Sequence, residues 1–447
     1  MRRRPRRRSS TTFYASNLKI VRHLRSSTLS RNILAVATGT AAGQAVAFAF
    51  SPLITRIYGP EIFGIQGVFL ALVSILSPVV ALRYPLAIIV ADNDSDAWHL
   101  RRLAMRMGFA LSAGLTVLLL LAAEPISVLL GAEALGPLIW FLPLALLCVA
   151  AQDVAGYTAA RRGQFRLVGV VTVVQAFLAN LARVLGGLAA PIAGVLVAVT
   201  SVAPAVQAGL LNLRIKGYPE SRGALGKEEV FRLLSKHRDF PLFRMPTDVL
   251  NSASQSVPVI MLAALYSPTA AGLYALTRSV LNLPANLINA AIGNVLYARF
   301  AELSRSGSEL WGMLLKSTLY LLSLAPIIIG VSWFSPDIFA FIFGEEWREA
   351  GHYAQWMAIW ISLMIVNVPT SRIVAVIGRQ GLSLLFNVAL LGIRVLSVLA
   401  AAWTSADART AVAWFSISSA GMIVLSLAVF SYSTYRFDMN TKASNGY

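Results

Sequence analysis

Apolar residues fall into twelve long blocks along this chain: 33–55, 62–82, 107–123, 135–152, 167–190, 191–213, 249–267, 270–296, 317–334, 354–371, 381–403 and 411–433. About 20 predominantly apolar residues are enough for a helix to cross a bilayer. The pattern therefore predicts an all-α integral membrane protein with twelve transmembrane helices. The faintest break separates 167–190 from 191–213, where only Gly186-Gly187 and Ala190-Pro191 interrupt the run. Prolines punctuate the blocks at Pro52, Pro78, Pro143, Pro204, Pro258, Pro284, Pro326 and Pro369. Membrane helices tolerate them because neighbouring groups take up the carbonyls a proline releases, so they read either as hinges or as plain helix curvature.

The blocks are used twice. Tyr58-Gly59-Pro60-Glu61-Ile62-Phe63-Gly64 returns as Tyr266-Ser267-Pro268-Thr269-Ala270-Ala271-Gly272, offset by 208 residues. Leu129-Leu130-Gly131 returns as Ile342-Phe343-Gly344, offset by 213. Ala182-Arg183-Val184-Leu185 returns as Ile393-Arg394-Val395-Leu396, offset by 211. A unit of six spans repeated in the same order is even, so both copies enter the membrane from the same side. The expected architecture is two parallel-repeat six-helix lobes around a central cavity, with a pseudo-two-fold along the membrane normal. The chain then divides into a basic N-terminal tail (1–32), an N-lobe (33–213), a polar linker (214–246), a C-lobe (247–433) and a C-terminal tail (434–447). No interruption is large enough for a separate soluble domain.

Charge changes the picture in one respect. The net charge of +18 would suit nucleic acid, but its distribution does not. Lys and Arg fall on alternate loops: ten from Arg2 to Arg31; Arg83, Arg101, Arg102 and Arg106; Arg161, Arg162 and Arg166; eight from Arg214 to Arg244; Arg299, Arg305 and Lys316; Arg372 and Arg379; Arg436 and Lys442. The intervening loops hold only Arg56, Arg348 and Arg409. This is the positive-inside bias, and it predicts cytoplasmic termini and a cytoplasmic linker. The run Arg2 to Arg8 reads as a tail on anionic lipid or as a topology signal alone. The single cysteine, Cys148, lies inside an apolar block and reads as a small buried hydrophobe.

Three ionised residues lie well inside spans: Arg183, Arg278 and Arg394. Each costs about 2.5–3.5 kcal/mol at mid-membrane, and no span centre holds an acid to pair them. They are expected to line a hydrated cavity as substrate-binding residues. A guanidinium fork fits phosphate in a bidentate manner. Arg183 and Arg394 are repeat-related and are expected to face the cavity from opposite lobes. Repeat-related charges also serve structurally, by bonding backbone carbonyls inside a lobe, and the sequence leaves both roles open. Arg278 is unduplicated, since Leu70 stands at the corresponding place. Amides form a second group: Asn251, Gln255, Asn282, Asn286, Asn289 and Asn294. Ser279, Asn282, Asn286 and Asn289 share one helical face, suited to sugar hydroxyls, cavity water or bonds between helices.

Other polar signals are weaker. Asp92-Asn93-Asp94-Ser95-Asp96 looks like an acidic metal motif but reads as a solvated turn. The histidines at 23, 99, 237 and 352 lack ligand spacing. There is no phosphate-binding glycine loop for direct ATP use. No cofactor and no metal is expected.

The string from Leu82-Arg83-Tyr84-Pro85-Leu86-Ala87-Ile88, through Asp239-Phe240-Pro241, Asn251, Ser254-Gln255, Pro258, Gly272-Leu273-Tyr274, Arg278 and Pro284, to Phe343-Gly344-Glu345-Glu346-Trp347-Arg348-Glu349-Ala350-Gly351 resembles the polysaccharide and O-antigen flippases of the multidrug/oligosaccharidyl-lipid/polysaccharide exporter superfamily. The resemblance runs over about 30–430. Relatives often carry Glu where this chain has Pro85. The resemblance implies a flippase in the bacterial inner membrane that carries a polyprenyl-diphosphate-linked oligosaccharide, driven by an ion gradient or membrane potential. The polymerase and glycosyltransferases of the same pathway are its implied partners. A cation-coupled multidrug exporter of the same fold is the alternative; its drug site needs buried acids. A membrane glycosyltransferase or polymerase is a further alternative, disfavoured by the short loops.

Reporter fusions after Arg222 and after Trp347 should lie on opposite sides of the membrane. A common side for both would exclude the twelve-span topology.

Overall fold

A computed structural model describes residues 28–129, 131–215 and 226–444. The arginine-rich stretch at 2–8 and the middle of the linker lie outside the described residues. Sixteen α-helices make up nearly all of the rest. In the first half these are α1 (Thr28–Val80), α2 (Ala87–Val90), α3 (Asp94–Leu129), α4 (Leu142–Arg161), α5 (Phe165–Ala189) and α6 (Ala193–Arg214). The linker carries α7 (Lys227–Lys236). The second half holds α8 (Met245–Leu265), α9 (Pro268–Arg305), α10 (Trp311–Leu322), α11 (Ala325–Ser332), α12 (Ser335–Phe343), α13 (Arg348–Val366), α14 (Val368–Val376), α15 (Gln380–Trp403) and α16 (Ala408–Ser444).

Among the described residues, nine helical stretches are long and apolar enough to cross a membrane. The count of twelve read from the sequence exceeds this in three places, each with a physical cause. The stretch from Thr38 to Val80 is one of the nine, yet it is broken at Gly59, whose φ of 66° and ψ of 171° are not helical. Gly reaches that region without strain, and Pro60 cannot continue the hydrogen-bond ladder. The other two differences are α8 and α9, which are diluted by Asn251, Gln255, Arg278, Asn282 and Asn286. Three of the marked prolines begin helices instead of bending them: Pro143 in α4, Pro326 in α11 and Pro369 in α14. Two expected spans are consequently split, α10 from α11 and α13 from α14. Cys148 is buried.

The broken helix α1 is the spine. It packs against α5 in the first half and against α8 and α9 in the second. Pro60 has no N–H to offer the Arg56 carbonyl one turn earlier, and the second half bonds the chain beside the break. Trp347 Nε1 donates to the Thr55 carbonyl at 3.3 Å, and its ring stands edge-on to Phe63 with centroids 5.2 Å apart. Trp347 is 1% exposed. Arg56 Nη2 in turn donates to the Phe341 carbonyl at 3.0 Å.

Past the break, the repeated motif meets its own copy. A Cβ placed on Gly64 would lie 1.7 Å from the Pro268 carbonyl oxygen; one on Gly272 would lie 1.9 Å from the Pro60 oxygen. Gly64 and Gly272, like Pro60 and Pro268, are partners at the 208-residue offset. The two copies of the repeated motif thus meet in a direct backbone contact between α1 and α9. Small residues at such crossings allow the approach.

Gly64→Ala or Gly272→Ala should push these backbones apart and lower thermal stability by about 1–3 kcal/mol, the range for overpacking. Both act on one contact, so the double variant should lose clearly less than the two single losses combined. Unfolding midpoints of the four proteins in the same detergent check this; full additivity would rule out a shared contact.

Candidate functional site

Between the halves lies a cavity of about 410 Å³. From the first half it is lined by Gln44 and Gln66 of α1 and by Asn180 and Arg183 of α5; from the second half by Ser279, Asn282 and Asn286 of α9, with apolar residues between them. Among the described residues, no Asp or Glu lines it. The polar stripe of α9 therefore reaches the cavity through Ser279, Asn282 and Asn286. Asn289 instead accepts from Arg372 Nη2 at 3.0 Å.

Arg183 is held in the wall by neutral groups. Nη1 donates to Asn180 Oδ1 at 3.1 Å and Nη2 to Thr200 Oγ1 at 3.3 Å. Gln66 Nε2 donates to the same Thr200 oxygen at 3.0 Å. Tyr58 fixes the helix by donating to the Arg183 carbonyl at 2.7 Å. Arg183 Nε is buried and makes no hydrogen bond. Two of the five N–H donors of the guanidinium are thus engaged, and no Asp or Glu is among the described residues lining the cavity, so the side chain retains capacity for an anion.

Arg394 does not line this cavity. It is 6% exposed and bonds α8 one turn before Pro258. Pro258 has no N–H, so the Ser254 carbonyl one turn earlier loses its helical partner. Arg394 Nη1 donates to that carbonyl at 3.0 Å and to Ser254 Oγ at 3.2 Å, while Nε donates to Ser419 Oγ at 3.0 Å. Its guanidinium lies 5.1 Å from the Trp360 ring centre and 5.2 Å from that of Phe415, in cation–π range. Of the two roles the sequence left open for this pair, the geometry of Arg394 is the carbonyl-bonding one. The symmetric pair of cavity arginines is not formed.

Arg278 is half-buried on α9, one residue from the cavity-lining Ser279. Its Nη1 bonds the Gln255 carbonyl and Nη2 donates to Gln255 Oε1 at 2.8 Å. Gln255 Nε2 donates on to Asn251 Oδ1 at 3.4 Å. Asn251, Gln255 and Arg278 thus form one polar row that ties α8 to α9. Gln44, Gln66, Asn180 and Thr200 were missed from the sequence. The first three are amides inside apolar blocks, the same signal that marked Asn282, and Asn180 stands three residues before Arg183 on one helical face.

On the Lys/Arg-rich side, Arg83 connects the halves. Its Nε lies 2.7 Å from Asp248 Oδ2 of α8 and its Nη1 3.6 Å from Asp153 Oδ2 of α4. Arg244 Nε is 3.2 Å from the same Asp248 oxygen. Leu82 and Arg83 are both left-handed, at φ 48° and 58°. Such backbone costs about 1–3 kcal/mol per residue and aims the Arg83 side chain into the seam.

The acidic run 92–96 is not a free solvated turn. Asp94 and Asp96 stand in the first turn of α3, where the helix dipole favours them. Asp94 pairs with Arg161 and Arg162 at 3.3 and 3.4 Å, Asp96 with Arg232 at 2.6 Å, and Asp92 with Lys236. Together with His99–Glu229 at 2.9 Å, the Asp92 and Asp96 pairs dock the linker helix α7 on α3 and the residues just before it, while the Asp94 pairs tie α3 to the end of α4. Asp96, His99 and Glu229 are close enough to share a metal ion, but Arg232 already sits on Asp96 and lies 3.6 Å from Glu229. That cation fills the place a metal would take.

Comparison with known proteins follows this geometry. The chain is 24% identical over 314 residues to the succinoglycan biosynthesis transport protein ExoT of Rhizobium meliloti, covering 68% of this chain and 60% of that protein. It is 24% identical over 176 residues to the teichuronic acid biosynthesis protein TuaB of Bacillus subtilis, covering 39% of this chain and 36% of that protein. The matches thus span about three fifths and one third of those relatives. Among solved structures, the lipid II flippase MurJ in an inward closed conformation superposes with a TM-score of 0.71 at 10% identity, over 91% of this chain and 90% of MurJ. An inward-facing multidrug resistance transporter of the MATE family gives 0.61 at 12% identity, over 90% and 94%. At these identities the likeness shows a shared fold. The sequence profile described as "Polysaccharide biosynthesis protein" matches residues 53–352, more than half of the chain, and the protein belongs to that family.

Proposed function

We propose that this protein is a secondary transporter, not an enzyme, that flips a polyprenyl-diphosphate-linked oligosaccharide across the bacterial inner membrane for cell-surface polysaccharide synthesis. The observation that carries this reading is the cavity shared by both halves, polar through amides and Arg183 and without a carboxylate in its lining. Its volume of about 410 Å³ is typical of a small-ligand site. It suits the diphosphate headgroup and adjoining sugar; the remaining glycan would extend beyond it. Arg183 takes the phosphate, Asn282 and Asn286 the sugar hydroxyls, and Arg278 with Gln255 and Asn251 guides the approach. The names of the relatives, a succinoglycan transport protein and a lipid II flippase, agree with a lipid-linked saccharide as cargo.

The two halves act as six-span lobes, 33–213 and 247–433, giving twelve spans with cytoplasmic termini and linker, and they alternate access by moving against one another. A cation-coupled multidrug exporter shares the fold, but a cationic drug has no acid to meet in this cavity. The headgroup carries about two negative charges. Moving each through 100 mV is worth about 2.3 kcal/mol, so an interior-negative potential can itself drive outward transfer.

Arg183→Ala and Arg278→Ala should each slow polysaccharide export by about 10–100-fold, the effect of losing a hydrogen-bonded charge, with membrane insertion intact. Arg278→Lys should restore only part, because a point charge replaces a fork. Export at matched protein level measures this, and normal export by both alanine variants would remove them from the substrate path. In proteoliposomes with a potassium-diffusion potential and no proton or sodium gradient, flipping should follow the size and sign of the potential. Indifference to it would exclude the potential as driving force. Transfer of label from a sugar nucleotide to the lipid by the purified protein would instead reveal an enzyme.

A further inference from the structure

Arg83 stands between two acids that belong to different halves. Asp248 begins α8 in the second half and holds the closer contact, 2.7 Å against 3.6 Å for Asp153 of the first half. Asp248 has a second cation on its own helix, Arg244 at 3.2 Å. The side chains are only 14–32% exposed for Arg83, Asp153 and Asp248, so a charge stripped of its partner here would be poorly solvated.

We propose that Asp153 is a positioning residue that competes with Asp248 for Arg83, and that this exchange is the latch of the seam. With the seam closed, Arg83 bridges the halves to Asp248. With the seam open, Arg83 moves fully onto Asp153 and Asp248 keeps Arg244. Two cations and two anions are present in both states, and each half separates with one of each. Opening therefore leaves no bare charge in the seam and needs no proton. The geometry supports the exchange at its pivot: Arg83 lies within 4 Å of both acids at once, and the left-handed backbone at Leu82 and Arg83 holds it there. Tyr84, the next residue, donates to the Leu234 carbonyl at 3.3 Å and anchors the loop to α7, which is docked on the first half. The loop thus stays with Asp153 when Asp248 leaves.

This inference rests on the proposed movement of one half against the other. It predicts opposite effects from two chemically identical substitutions. Asp248→Asn removes the bridge and should favour the open seam; Asp153→Asn removes the competitor and should favour the closed one. The full-length protein in lipid nanodiscs, with Cys148→Ser and nitroxides at Ile89 and Phe243, reports the seam by distance. The long-distance population should rise about two- to fivefold in Asp248→Asn, the range a partly exposed ion pair supports, and fall by a similar factor in Asp153→Asn. Asp248→Ser should act like Asp248→Asn and serves in its place should that variant fold poorly; Arg83→Gln removes the partner from both states and should shift the distribution less than either asparagine variant, and Asp153→Glu should restore the parent distribution. A shift of both asparagine variants in the same direction, or of neither, overturns the exchange. The distances are read without substrate, so such a result would leave the flippase assignment standing, while failed flipping with opposed shifts would remove that assignment and leave the latch.

Discussion

A bilayer offers no water to a backbone carbonyl that loses its helical partner, and the architecture of this protein follows from how each such carbonyl is met. Pro258 frees Ser254, and Arg394 reaches across from α15 to bond it. At the Gly59-Pro60 break, Trp347 bonds the Thr55 carbonyl from the second half. Arg161 gathers the carbonyls of Ile88, Ile89 and Ala91 where α2 ends. In each case a side chain from a distant helix supplies the donor, so the breaks are also the points where helices are tied together. The kinks and the tertiary contacts are one set of interactions.

The same constraint governs how much could be read in advance. Helix positions were legible because apolar length is local information. The similarity of the two glycine-bearing motifs was legible too, and in the fold these motifs touch at their glycines. The split of 317–334 and 354–371 was not legible, because Pro326 and Pro369 look the same in sequence whether they bend a helix or start one. The cavity was half legible. Asn282 and Asn286 announced themselves as a stripe, whereas Gln44, Gln66 and Asn180 are single amides on three different stretches of chain, and only packing brings them together. The acidic run at 92–96 appeared solvated because its cations are far away in sequence, at Arg161, Arg232 and Lys236.

Arg183 and Arg394 show what a repeat does and does not dictate. The two arginines stand at matching places in the repeated sequence pattern, but their neighbours differ. Around Arg394 there are two aromatic faces, a serine and a released carbonyl, which together occupy the guanidinium. Around Arg183 there are an amide and a threonine, which take two of its five N–H groups. The same residue type thereby ties α15 to α8 and α16 in one half and stands in the cavity wall in the other.

That asymmetry bears on how a site of this kind works under the transport reading. Arg183 keeps its charge in the wall with only neutral partners, so the empty cavity is the less favourable condition of that charge. A phosphate would complete its hydrogen bonds from the side of α9, because Asn282 and Asn286 of the second half face the same space. An anion there would join the halves near the cavity, while the Arg83–Asp248 pair joins them at the Lys/Arg-rich end. Contacts at two levels of one seam need not close together. Loading the cavity offsets what opening the far end gives up, and that is the energetic condition for a carrier to change sides with its cargo bound.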